Sequence, residues 1–363
     1  MKKKVLYISN IEVPYRTLFF NELAKHCDLT VLYERRKSSN RNSQWTSSQK
    51  SKYRIEYLDG INIKNEYSFS FKINRYINSD FDVIIFGCYN SPAQMYAKTL
   101  MQLKKRKFYI NMDGEYFLEG SSIKCKIKRF FIQGAQGYLI AGEQCGNKLK
   151  NILNNENVYP YYFSSLTNKE IELNSRNYQQ NNQGDYILVI GQYFDYKGLD
   201  IALDVAEKLP EMKFKFIGMS KRADKFKELV KLKKITNVEV IPFLTKESLN
   251  EEYKNCKLLL LTSRRECWGL VINEAASFGC PIIASKYAGA AIEFISEKYK
   301  NYLIDPYNIE EIVKKIKKFD KNDTTNYKKH LINTSKLYSI ENNVLKYLDV
   351  IEKESDSVGK ENC

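Results

Sequence analysis

The stretch "KLLLLTSRRECWGLVINEAASFGCPIIAS", residues 257–285, decides the fold. "KLLLLTS" reads as a buried strand. "GLVINEAASF" reads as a helix closed by Gly279, and Pro281 starts the next strand. One strand, turn, helix, strand unit results, and similar units recur along the chain. Strands are expected at "KVLYISN", "LTVLYE", "FDVIIFG", "KFYINM" and "GYLIAG", and again at "YILVIG", "KFKFIG", "VEVIPFL", "KLLLLTS" and "PIIAS". Helical periods lie between them. In "YRTLFFNELAKHC" Leu18, Leu23 and Cys27 are expected to share one face, and in "LDIALDVAEKL" Ile201, Val205 and Leu209 do so. Parallel sheets with crossover helices follow. The polar run "RRKSSNRNSQWTSSQKSK", 35–52, is expected as a loop, and the Asn, Gln and Ser-rich stretch 164–184 as a linker. The expected layout is a first α/β domain over 1–165, a second over 166–335, a terminal helix over 336–355 packing back on the first domain, and a disordered tail over 356–363.

Composition narrows the function. The chain has 363 residues, 43% of them hydrophobic and 13% aromatic, and no apolar run approaches the ~18 residues of a membrane span. No secretory leader is read at "MKKKVLYISN", so a cytoplasmic protein is expected. The eight cysteines form no CxxC pair and only two histidines are present, which fits scattered reduced thiols and no metal site. The formal charge of +15 invites a nucleic-acid reading, but it is spread thinly. "KKRK" at 104–107 and "IKCKIKRFF" at 123–131 are its two local clusters. The second mixes Lys124, Lys126, Lys128 and Arg129 with Ile123, Ile127, Phe130 and Phe131. It suits an anionic membrane surface, and equally a solvated helix face.

The chemistry gathers around Gly269. A helix starting there opens at the carboxyl edge of a parallel sheet, where such folds bind ligands, and its unpaired N–H groups attract an anion such as a diphosphate. Glu266 stands just before that terminus and Glu274 about one turn inside, at ~3.6 residues per turn. Taken singly, each reads as a solvated residue. Taken together, they can receive sugar and ribose hydroxyls while the amides meet the phosphates, as a nucleotide-sugar requires. The other loop on that edge is "GQYFDYKG", 191–198, in which Lys197 can meet phosphate as a point charge. "DFD" at 80–82 matches a metal-binding DxD, but it directly precedes "VIIFG", where strand entry explains Asp80 and Asp82.

At these residues the chain resembles glycosyltransferase family 4, the retaining enzymes of GT-B fold, in which two Rossmann-like parallel-sheet domains face each other across a cleft. "ECWGLVINE" resembles the family's E-x7-E element, "GQYFDYKG" its phosphate loop, and "NYLIDPYNIEEI" the loop and helix that follow. "ISNIEVPYRTLFFNELAKHCDLTVLYE" resembles members acting in bacterial surface-polysaccharide assembly. The likeness covers nearly the full chain and is more specific in its second half.

It implies a hexosyltransferase that needs no metal and uses a UDP- or GDP-linked sugar as co-substrate. Glu266 would contact the sugar, and amides around Trp268, Gly269 and Leu270 would touch sugar and phosphate. Glu274 would hold the ribose and Lys197 would neutralise the leaving diphosphate. Gly191, Gln192, Cys267 and Val271 complete the expected donor site. The chain departs from the family at two points. Gln192 stands where many members carry Arg, and neither His26 nor His330 matches the histidine of the N-terminal domain. "INMDGEYF" follows a strand at that place, which puts Asp113 there as a third catalytic candidate, although Asp113 also suits a turn cap with Gly114.

The implied acceptor is a saccharide, lipid-linked and in the polyprenyl-diphosphate form, at the inner face of the cytoplasmic membrane, with no nucleic-acid partner. A nucleotide-sugar epimerase of the same fold and a non-catalytic binding protein are the competing readings. A nicotinamide enzyme is not expected, because no two of the 16 glycines stand two positions apart, so G-x-G-x-x-G is missing.

Overall fold

The computed structural model describes residues 2–36, 50–63, 67–88, 91–113, 123–176, 178, 184–219, 222–319 and 321–358. Residues 37–49 of the expected loop, Gly114 and the tail 359–363 lie outside them. The chain divides into two compact units, one of Met1–Ser165 with Ile340–Cys363, the other of Leu166–Ser339.

The first unit is built on β1 (Lys4–Ser9), β2 (Asp28–Tyr33), β3 (Arg54–Tyr57), a hairpin of β4 (Ile61–Ile63) and β5 (Tyr67–Phe69), then β6 (Val83–Phe86), β7 (Tyr109–Met112), β8 (Gly137–Ala141) and β9 (Val158–Tyr161). Seven of these strands form one sheet in the order β3-β2-β1-β6-β7-β8-β9, every pairing parallel. Both faces of such a sheet are covered, so its inner strands are apolar on both sides: all four residues of "VIIF" in β6 are buried. Asp80 and Asp82 stand just before β6 and serve its entry. Asp82 Oδ2 accepts the Lys4 amide at 2.8 Å, and Asp80 pairs with Lys4 Nζ at 3.2 Å.

Two expectations for this unit need correction. The first helix runs Pro14–Leu23, so Cys27 lies beyond it, and its inward face carries Arg16, Thr17, Phe19, Phe20 and Asn21 with the expected Leu23, while Leu18 is only half-buried. The cause is a buried polar partnership of Arg16, described below. The terminal helix runs Ile340–Val358, so it begins later than expected and carries through 356–358. Within the first unit it packs on the helix Pro14–Leu23 and on β9.

The second unit contains β10 (Tyr186–Ile190), β11 (Lys213–Ile217), β12 (Val238–Ile241), β13 (Leu258–Leu261), β14 (Ile282–Ser285) and β15 (Leu303–Ile304). Their order is β12-β11-β10-β13-β14-β15, again all parallel. Leu258, Leu260, Val189 and Phe216 meet the helix residues Leu203, Phe226 and Ile312 in one core. Within the polar stretch 164–184, Asn168–Ser175 form a helix rather than linker. Its start is a capping box. The Glu170 amide donates to Thr167 Oγ1 and the Thr167 amide donates to Glu170 Oε2 at 2.8 Å.

Glu170 also pairs with Lys246 at 2.6 Å. Burial pushes its carboxyl up, but the Lys246 ammonium and the Thr167 amide outweigh this and hold it below the usual range. A carboxylate depressed in the folded state stabilises above its unfolded pKa and loses that contribution as pH falls through the folded pKa. Glu170→Gln should therefore lower the unfolding free energy by about 1 kcal/mol at neutral pH, seen as a lower urea midpoint. The difference should shrink on acidification below the ordinary glutamate range.

Candidate functional site

In the second sheet the strand order reverses between β10 and β13, the place where doubly wound folds open a crevice for ligands. Two loops leave the sheet there. After β10, Gly191 continues the pairing through its amide to Ile217 O at 2.9 Å, Gln192 O accepts the Phe194 amide, and Asp195–Lys197 make a 3-10 turn. After β13 the chain runs through Thr262–Trp268 to Gly269 and the helix Leu270–Ser277.

The loops meet backbone to backbone. Gly198 has φ +64°, and a Cβ on it would stand 2.0 Å from Thr262 O. Thr262 Oγ1 donates to Gly198 O at 2.7 Å, and the Arg265 amide donates to Tyr196 O at 3.2 Å. Arg264 clamps the pair from the side. Its two terminal nitrogens donate to the Asp200 carboxylate at 2.9 and 2.5 Å, and one also reaches Asp195 O at 2.6 Å. Burial raises the Asp200 carboxyl, but the guanidinium more than compensates and holds it below its usual range.

This register brings together two of the expected catalytic residues. Lys197 Nζ forms an ion pair with Glu266 Oε2, both side chains being mostly buried at 24% and 15% exposure. Behind Glu266, a third loop completes the frame. The Glu266 amide donates to Tyr287 O at 3.1 Å, the Gly289 amide to Glu266 O at 3.3 Å and the Ala290 amide to Trp268 O at 2.9 Å. A Cβ on Gly289 would lie 2.5 Å from Cys267 O, so this approach too depends on a missing side chain.

Trp268 presents only its backbone. The indole is 2% exposed, donates to Asn273 Oδ1 at 2.8 Å and packs against Tyr338, so the side chain belongs to the core. Gly269 adopts φ +100° at the helix N-cap, and no side chain caps the helix. The first-turn amides of Leu270 and Val271, both half-buried residues, have no partner within an α-helix by its geometry. Glu274 is half-buried one turn on, and Tyr253 donates to its Oε2 at 2.9 Å.

Asp113 belongs to the first unit and has its own surroundings. Arg16 grips both of its oxygens, at 3.0 and 3.1 Å, and Tyr161 donates to Oδ1 at 3.0 Å. The other Arg16 nitrogen donates to Tyr7 at 2.6 Å, and Tyr7 donates to Asn111. Burial pushes the Tyr7 hydroxyl up to about 12, so it stays neutral. Asp113 is thus held by an arginine and a tyrosine. His26 is exposed, and His330 meets Phe294 O at 3.0 Å from its helix.

Sequence reading missed Arg264, Asp200, Thr262, Tyr253 and Arg16. Arg264 stood inside the deciding stretch, and the one available signal was the Arg264–Arg265 pair that precedes Glu266. The others carry no local signal.

Two parallel-sheet α/β units of this kind make up the GT-B fold, and solved structures agree. The chain superposes on a sucrose-phosphate synthase of Thermosynechococcus elongatus with TM-score 0.72 over 98% of this chain and 100% of that one, at 12% identity. It superposes on the HepE protein of Anabaena in complex with UDP with TM-score 0.69 over 97% of this chain and 100% of that one, at 14% identity.

Residues 170–337, which lie within the second unit, match the family model for glycosyl transferases group 1. An uncharacterised glycosyltransferase of Haemophilus influenzae is 33% identical over 133 residues, 35% of this chain and 37% of that one. The matched segment spans only 18–38% of the length of the curated relatives.

Gly198→Ala should weaken the fold by about 2–5 kcal/mol, from a left-handed conformation and a backbone clash together. Chemical denaturation measures it, and a wild-type midpoint would contradict the loop contact described here.

Proposed function

We propose that the chain is a retaining glycosyltransferase of family 4. It moves a hexose from a UDP- or GDP-linked donor to a lipid-linked saccharide acceptor in surface-polysaccharide assembly, without a metal. The observation that carries this reading is the Lys197–Glu266 pair at the uncapped start of the Leu270–Ser277 helix, on the edge where the strand order reverses. The Anabaena HepE protein, solved with UDP and with UDP-glucose, supports a UDP-linked donor.

Breaking the bond between the anomeric carbon and the phosphate oxygen leaves positive charge on the sugar and negative charge on the departing diphosphate. Lys197 and the amides of Gly269 and Leu270 stabilise the diphosphate. Glu266 lies against the sugar, and Glu274 receives the ribose hydroxyls. Cys267, Val271, Gly191 and Gln192 line the same edge. In the resting protein Lys197 neutralises Glu266, and an incoming pyrophosphate competes for that ammonium. Asp113 takes the role of the family's histidine, its orientation set by Arg16 and Tyr161.

Removing a preorganised electrostatic contact costs about 10²–10³ in turnover. Lys197→Ala should lose that much with donor and acceptor present, and Glu274→Ala should raise the donor KM. Unchanged donor turnover in both variants would remove the site assignment. Release of nucleoside diphosphate only when acceptor is added separates transfer from epimerisation.

The acceptor side is read from the helix Ile123–Ile132. Ile123, Ile127 and Phe130 follow i, i+4, i+7 spacing and are 76%, 49% and 70% exposed, with Lys126 exposed beside them. An apolar stripe among basic residues suits insertion at an anionic lipid surface. Among the described residues no helix is long and apolar enough to cross a membrane. The wild type should float with phosphatidylglycerol vesicles and not with phosphatidylcholine vesicles. Replacement of Lys124, Lys126, Lys128 and Arg129 by Ser should abolish flotation, and unchanged flotation rules out this surface.

A further inference from the structure

We propose that Tyr253 is a positioning residue for the donor nucleotide: its hydroxyl fixes the carboxylate of Glu274 for the ribose hydroxyls of a nucleoside diphosphate. This rests on the reading that Glu274 meets the ribose.

Tyr253 lies near the end of the helix Lys246–Asn255, in the connection that leads into β13, and is fully buried. Its ring stacks on Phe278 with centroids 5.9 Å apart. The ring is therefore held by packing, and its hydroxyl reaches Glu274 Oε2 at 2.9 Å. Burial raises the phenol well above its ordinary value, so it stays protonated and acts as a donor toward the carboxylate. The helix that carries Glu274 is tethered as well. Ser277 Oγ donates to Glu274 O at 2.7 Å, and Asn174 Nδ2 donates to Ser277 Oγ at 2.9 Å.

A glutamate side chain has three rotatable bonds. Pinning one oxygen by a rigid aromatic donor sets the plane of the group and hence the direction of the other oxygen. Recognition of two vicinal hydroxyls depends on that plane, because each must meet a lone pair at about 2.7 Å. Tyr253 thus lowers the ordering cost of binding without touching the ligand itself.

The test is titration calorimetry of the full chain with UDP, GDP and the 2′,3′-dideoxy form of whichever binds. The proteins compared are wild type, Tyr253→Phe, Glu274→Gln and the double variant. Phenylalanine keeps the ring packing, and the wild-type Tm serves as the folding control. Tyr253→Phe should weaken the ribonucleotide by about fivefold or more, as expected for a lost hydrogen bond to a charged group. It should leave the dideoxy nucleotide within about twofold, and add nothing in the Glu274→Gln background, since the two residues act as one unit.

Equal losses for both nucleotides would make Tyr253 a packing residue and overturn the proposal. So would a weakened Glu274→Gln beside an unaffected Tyr253→Phe. If Glu274→Gln binds the ribonucleotide like wild type, or neither nucleotide binds, the underlying site reading falls instead. Should Tyr253→Phe fail the folding control, loss of ribose discrimination in Glu274→Gln must be matched by Tyr253→Leu, which removes the hydroxyl without forcing a larger group into the buried site. Its retention of discrimination would refute the role.

Discussion

Peptide groups of two loops can come into direct contact only where no side chain intervenes, and at the end of β13 that condition is met by Gly198. The missing Cβ lets the turn Asp195–Lys197 lie on the Thr262 carbonyl. Everything nearby inherits its position from that contact: the Arg264–Asp200 clamp, the Tyr196 carbonyl on the Arg265 amide, and the union of Lys197 with Glu266. Gly289 repeats the device on the opposite flank by admitting the Cys267 carbonyl. Glycine here is a packing requirement first, and its backbone freedom serves that packing.

The frame explains how a lysine and a glutamate are kept mostly out of water. Removing one charge of such a pair leaves the other desolvated and unmatched, which is strongly unfavourable. The pair is tolerable because an adjacent arginine and aspartate tie the same loops together, so the cost of ordering two long side chains has largely been met by the scaffold. Asp113 follows the same logic in the first unit, where Arg16 and Tyr161 fix a carboxylate that stands at a strand end.

Much of this could be read beforehand, for a physical reason. Strands inside a parallel sheet are buried on both faces, so "LLLL" and "VIIF" announce themselves. Of the four strands at the sheet margins only β12 does. Arg54–Tyr57 is mostly half-exposed, Val158–Tyr161 contains Pro160, and Leu303–Ile304 is two residues long, and none of them was expected. On the helix Pro14–Leu23 hydrophobic period placed Leu23 correctly but not Leu18, because Arg16, Thr17 and Asn21 turn inward to polar partners. In the site, Lys197 and Glu266 were legible from local motifs around a helix start. Arg264 and Asp200 were not, because their meaning lies in a pairing across 64 positions that only the folded chain creates.

The division of the chain carries a consequence for its biogenesis. The first unit is discontinuous, since Ile340–Val358 supplies a helix that covers Pro14–Leu23 and the marginal strand β9. Residues Val344, Tyr347 and Ile351 of that helix are buried there. Ribosomes deliver polypeptide from the amino end, so the inserted unit is fully translated before the earlier one receives its last element. Until then the nascent first sheet lacks part of its apolar cover, and in the cell that interval is when a chaperone has the most exposed surface to hold.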